Sequence, residues 1–122
     1  MGKHIFDIRI NDVGVSQVSS TKFLGVIVNE TLTWKDHIQI ITNKVSKGIC
    51  ILYKVSSILP HSVLKSLYYA LIHPYLEYCN IIWASKNDLQ LNKLFLKQKR
   101  AIRAIYKFSE PFLPIFEHFK CL

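Results

Sequence analysis

The chain has 122 residues, half of them hydrophobic, and 16 Lys and Arg against eight Asp and Glu give a formal net charge of +8. This length holds one small domain with a core of its own, since about two-thirds of the unfolded surface can be buried at this size, and it excludes a disordered chain. It leaves little chain for the strand ends and loops that hold the catalytic groups of a polymerase, nuclease or hydrolase, so composition favours a binding or accessory module.

The first elements read as strands. Ile5 to Ile10 alternates, with Phe6, Ile8 and Ile10 on one side. Asn11-Asp12 is turn chemistry, and Val13, Val15 and Val18 follow it, with Gly14 between. A second β-rich run, Phe23 to Val28, is bounded by Ser19-Ser20-Thr21 and Asn29-Glu30. The simplest arrangement is three short strands in an antiparallel ribbon that needs something to pack on, because such a ribbon is marginal alone.

The period changes after Thr33. Thr33-Trp34-Lys35-Asp36 has the form of a capping box, and Trp34, Ile38, Ile41, Val45, Gly48, Leu52, Val55 and Leu59 recur at alternating steps of four and three. The spacing predicts one helix of about 26 residues ending before Pro60. Gly48 lies on its apolar seam, where glycine costs about 1 kcal/mol against alanine. It marks either a close approach of another backbone or a weak point in the helix.

A second helix is expected after Pro60, with Ser62 as its cap and Leu64, Leu67, Tyr68, Leu71 and Ile72 on one face. Pro74 removes a donor and stops or kinks it near His73. Tyr75 to Trp83 continues as kinked helical turns, their aromatics packing on the long helix. Asp88 then caps a further helix. After Phe108, Ser109-Glu110-Pro111 reads as the cap and first turn of a last one, with its apolar pattern still running at the end of the chain, as in a truncated protein.

The charge is concentrated on the helix before that last one. From Lys86 to Lys107 there are seven basic residues and one acid, Asp88. At about 100° per residue, Lys93, Lys97, Arg100 and Lys107 fall within about 80° of one another, with Arg103 beside them. Leu91, Leu94, Phe95, Ala101, Ile102 and Ile105 take the opposite arc. A solvated basic face usually carries interleaved Glu for pairing one turn apart, and here no acid interrupts the stripe, so a phosphate-binding face stands level with a solubilising one. Gln98 sits within the apolar arc and reads either as a polar tie to another element, the expected role, or as a sign that the face is partly wet.

Catalytic and metal signals are missing. His4, His37, His61, His73 and His118 share no ligand spacing, and Cys50, Cys79 and Cys121 form neither a disulfide framework nor a CxxC knuckle. No nucleophile elbow or phosphate-cradling glycine loop is present, and Asp7 and Asp12 do not make a metal-binding pair. The longest uncharged run, Ser66 to Leu76, is too short to span a bilayer. The first residues lack a signal-peptide block, so an intracellular protein, nuclear or cytoplasmic, with reduced thiols is expected.

Several of these stretches in order resemble a known pattern: Lys22-Phe23-Leu24-Gly25-Val26, Leu32-Thr33-Trp34-Lys35-Asp36-His37-Ile38, Lys44, Gly48, Leu67 to Tyr78, Trp83, and Leu96 to Arg103. Together they are similar to the C-terminal, post-palm part of the reverse transcriptase of jockey-like non-LTR retrotransposons, over about residues 5 to 108. The pattern along the chain reads as one α+β unit, a β ribbon (1–32) followed by a mostly helical region (33–122), and the resemblance implies that the helices are thumb-like. It implies that Phe23, Leu24 and Gly25 lie on the primer-grip side. Lys44, Lys47, Lys93, Lys97, Arg100, Arg103 and Lys107 are then candidate contacts to the template-primer backbone of an RNA/DNA partner, the assignment of each resting on helix geometry. The family's metal-binding aspartates have no counterpart here, and two-metal phosphoryl transfer needs such carboxylates. The divalent metal, magnesium, and the palm domain therefore belong to the parent enzyme, and the chain is expected to be an inactive fragment of it. The alternatives are a non-enzymatic protein-interaction module from a domesticated fragment and, further off, a small enzyme with an unrecognised site.

Overall fold

Two pairs of left-handed residues reverse the chain near its start. Asn11 and Asp12 both have positive φ and join β1 (Ile8–Ile10) to β2 (Val13–Val15), the geometry of a type I′ hairpin turn. Leu24 and Gly25 do the same between β3 (Ser20–Phe23) and β4 (Val26–Asn29). The structure, a computed structural model describing residues 6–84 and 89–106, therefore holds two separate two-stranded sheets in place of the expected three-stranded ribbon. Phe23 to Val28 is not one strand. Its glycine was the sign of the turn, which the surrounding β-branched and aromatic residues concealed.

In the first hairpin Ile8 lies opposite Val15 and Ile10 opposite Val13, so the four share one face, and all are exposed. The chain divides into two compact units after Trp34.

The entry to the helical unit differs from a capping box. The Asn29 side chain donates to Thr33 Oγ1 at 2.6 Å and accepts from the Thr33 backbone N–H at 2.9 Å. Trp34 takes a left-handed φ of 61°, and α1 (Lys35–Val55) begins one residue later. Thr33 is thus engaged by the preceding turn, and Trp34 stands outside the helix. At its other end α1 stops at Val55, short of Pro60. Ser56 Oγ donates back to the Tyr53 carbonyl at 2.9 Å, the local competition by which serine weakens a helix end.

The helix α2 (His61–Leu71) is preceded by Pro60 in extended geometry without a side-chain cap, so Ser62 lies within its first turn instead of capping it. The break at Pro74 is where the sequence places it: α2 ends, and α3 (His73–Glu77) starts with the proline in its first positions. Cys79 adopts a left-handed φ before α4 (Asn80–Trp83), whose Trp83 Nε1 donates to the Tyr78 carbonyl at 2.9 Å. The last described element is α5 (Leu89–Tyr106). Asp88, Lys107 and the expected final helix lie outside the described residues.

Successive contacts fix the packing. Gly48 faces Ile72, Lys44 lies over the Tyr75 ring, and His37 meets Trp83 edge-on, so α2 to α4 run back along α1. Gln98 meets Tyr68 and Tyr106 meets His61, so α5 runs antiparallel to α2 and in the same direction as α1. The core of this unit is built from the predicted seams: Ile38, Ile41, Val45 and Leu52 of α1, Leu64, Tyr68 and Ile72 of the middle rod, and Leu94, Ala101, Ile102 and Ile105 of α5 are all buried.

Gln98 is the predicted polar tie. Its Nε2 donates to Tyr68 Oη at 3.1 Å, and both residues are fully buried. Leaving one buried partner of such a bond behind costs about 1–3 kcal/mol, whereas replacing both by apolar groups of similar shape is nearly neutral. Tyr68→Phe and Gln98→Leu are each expected to destabilise the protein by that amount, and the double variant by less than their sum. Strict additivity in urea unfolding would show that the bond does not couple the helices.

Candidate nucleic-acid interface

Because α1 and α5 lie side by side in the same direction, the flank of one faces the flank of the other along a groove. One half, about 440 Å³, is lined by Ser46, Ile49, Cys50 and Tyr53 of α1 and by Lys97, Arg100 and Arg103 of α5. The other half, about 310 Å³, is lined by Gln39, Thr42, Gln90, Lys93, Leu96, Lys97 and Arg100. Lys97 and Arg100 line both, so the two hollows adjoin along α5, bordered between them by four cations.

The two walls differ in chemistry for local reasons. On α1, Thr42 Oγ1 donates to the Ile38 carbonyl and Ser46 Oγ to the Thr42 carbonyl, both at 2.7 Å, and Gln39 donates to Asn43 at 3.1 Å. These polar groups are turned onto their own helix, and the α1 residues that line the groove carry no charge. On α5 the basic residues recur every three or four positions, which puts them in one row covering about 15 Å from Lys93 to Arg103 at 1.5 Å per residue. The α5 sequence contains no acid, and α1 contains one, Asp36 in its first turn. Like charges three or four residues apart destabilise a helix by about 0.2–0.5 kcal/mol per pair, so this row opposes the stability of the helix that carries it. Local conflicts of this kind mark functional positions.

The sequence-derived candidates are distributed unevenly. Lys93, Lys97, Arg100 and Arg103 come together on the groove. Lys44 and Lys47 do not join them: they lie about 160° and 100° round α1 from Ser46, and Lys44 Nζ sits 5.1 Å from the Tyr75 ring centroid, a cation–π contact on the α3 side. Phe23, Leu24 and Gly25 belong to the β unit, where they form the end and turn of the second hairpin with all three exposed. Lys107 lies outside the described residues. Tyr53, Ser46 and Thr42 were not singled out from the sequence. They sit beside the apolar seam at helical spacing, but what faces them depends on where α5 packs.

Among the described residues, His37 and His73 hold structural positions. His37 is buried against Trp83, ring centroids 5.7 Å apart, and burial followed by the nearby Lys44 charge holds its pKa below the usual 6.5. His73 Nε2 lies 3.2 Å from Glu77 Oε1 one turn on. Among the described residues no three His, Cys, Asp or Glu side chains form a group able to hold a metal ion, and no helix is long and apolar enough to cross a membrane. No protein-family model, curated protein or solved structure matches this chain.

Proposed function

We propose that the helical unit binds the phosphate backbone of nucleic acid along the α1–α5 groove, and that the chain is a non-catalytic piece of a jockey-like non-LTR retrotransposon reverse transcriptase. The observation that carries the binding reading is the acid-free row of Lys93, Lys97, Arg100 and Arg103 along one concave surface. The origin rests on the ordered motifs from Lys22 to Arg103. In this reading the chain contributes template-primer contacts, while the carboxylates and magnesium of phosphoryl transfer reside in the parent's palm.

Four phosphate contacts on duplex DNA give a log–log salt slope of about −3.6, at about −0.9 per contact. Affinity for a duplex or an RNA/DNA hybrid is therefore expected to fall roughly 150-fold between 50 and 200 mM salt, equally for unrelated sequences. Titration of labelled duplexes by fluorescence anisotropy checks this, and an affinity that barely changes with salt contradicts it.

A second reading, a protein-interaction module, is favoured by the exposed apolar face of Ile8, Ile10, Val13 and Val15 on the first hairpin. A chain that stays monomeric and binds no hydrophobic dye removes that reading.

A further inference from the structure

Phosphate contacts alone need only a row of cations, yet the groove has an apolar floor and an aromatic at one end. Ile49 forms the floor of its larger half, Tyr53 is half-exposed, and Arg100 and Arg103 stand on the opposite wall. Tyr53 adds nothing to the buried seam of α1, which is formed by Ile38, Ile41, Val45, Ile49 and Leu52. A volume of about 440 Å³ is in the range of clefts that enclose a small organic group. A double helix keeps its bases stacked inside and offers such a cleft only phosphates, whereas a single strand offers the flat faces of its bases.

We propose that the larger half of the groove takes a single strand of nucleic acid, with one base stacked on the Tyr53 ring and the adjoining phosphates along Lys97, Arg100 and Arg103. This rests on the reading of the groove as a nucleic-acid interface and names its preferred ligand. A cationic groove that follows the backbone, combined with an aromatic platform, is the general solution for strands bound without sequence preference, because every base has a stacking face. Lys97 to Arg103 covers about 9 Å of helix axis, the length of two to three stacked nucleotides at about 3.4 Å each. The guanidinium groups across the groove also favour a π-face lying between them and the tyrosine.

The test compares a 12-residue oligothymidylate, an abasic strand of equal length and a duplex, each titrated into the full chain and its Tyr53→Ala and Tyr53→Phe variants. Tyr53→Ala is expected to weaken oligothymidylate binding about tenfold without changing the salt slope, since the phosphate contacts remain. Tyr53→Phe should bind like the parent chain. The unmodified protein should lose the same factor on the abasic strand, where Tyr53→Ala causes no further loss. Equal oligothymidylate affinity for the parent chain and Tyr53→Ala overturns the stacking contact while leaving the groove's backbone binding intact. So does an equal loss on the abasic strand, which would mark a structural effect of the substitution. Failure of all three ligands to bind overturns the underlying reading as well. The abasic arm needs no variant, so equal affinity of the unmodified protein for the abasic strand and oligothymidylate overturns the base contact even if Tyr53→Ala perturbs the helix.

Discussion

Lys93→Gln, Lys97→Gln, Arg100→Gln and Arg103→Gln in one chain are expected to lower nucleic-acid affinity by on the order of 100-fold at 50 mM salt and to flatten the salt slope almost to zero. The same variant should be more stable than the parent chain. Neutralising the row relieves four like-charge pairs, Lys93 with Lys97, Lys97 with Arg100, Arg100 with Arg103, and Lys99 with Arg103, worth together about 1 kcal/mol. Binding and stability then move in opposite directions, the expected sign for residues retained for function at some expense of the fold. Loss of binding accompanied by a fall in thermal midpoint would instead indicate general damage. Lys44→Gln with Lys47→Gln serves as the contrast. These lysines carry the same charge but lie away from the groove, Lys44 against Tyr75, so the slope should change by less than about one unit. The quadruple variant removes four charges and this one two, so a loss half as large from Lys44→Gln with Lys47→Gln would mean that binding follows net charge and not the groove.

Gly48→Val is expected to destabilise the protein by about 3 kcal/mol, through the crossing of α1 over the end of α2. A Cβ added at Gly48 would stand 2.9 Å from Ile72 Cγ1 and 3.3 Å from the Leu71 carbonyl oxygen. Ile72 is fully buried and the contacting Cγ1 is not the far end of its side chain, and the carbonyl belongs to the backbone. Overpacking of this kind costs about 1–3 kcal/mol and rises with added volume. Gly48→Ala isolates the balance of effects. Helix propensity alone would make alanine stabilising by about 1 kcal/mol, whereas the close approach makes it net destabilising by a similar amount. Urea midpoints at unchanged m-value measure both variants, and a stabilising Gly48→Ala would show that the helices can separate at little cost. Adding Ile72→Ala should recover part of the Gly48→Val loss, since the two changes act on one contact.

Much of the helical unit was legible because its signals are periodic and redundant. The seam through Ile38, Ile41, Val45, Gly48 and Leu52 is buried as spaced, Pro74 divides the middle rod, and α5 puts its basic and apolar residues on opposite sides. The misreadings occur where a single local hydrogen bond or dihedral decides the outcome. Leu24 accepts a left-handed backbone that a leucine ordinarily avoids at about 1–2 kcal/mol, and turns what reads as one strand into a hairpin. Thr33 has the composition of a cap, but Asn29, four residues earlier, engages its hydroxyl and its N–H. Ser62 resembles a cap, yet Pro60 already supplies the extended residue that precedes α2.

The candidate site divides along the same line. The amino-acid sequence by itself determined the α+β class, the cationic row on α5 and the need for Gln98 to find a partner, because charge, period and hydrogen-bonding capacity are properties of the residues. Tertiary structure alone decided that the row borders a groove, that Tyr53 and Ser46 face it, and that Lys44 and Lys47 do not. Each of those facts depends on which flank of α1 receives α5. That choice follows from how three apolar faces close over Tyr68, Ile72 and Trp83, and so from contacts between residues far apart in the chain that no local spacing encodes.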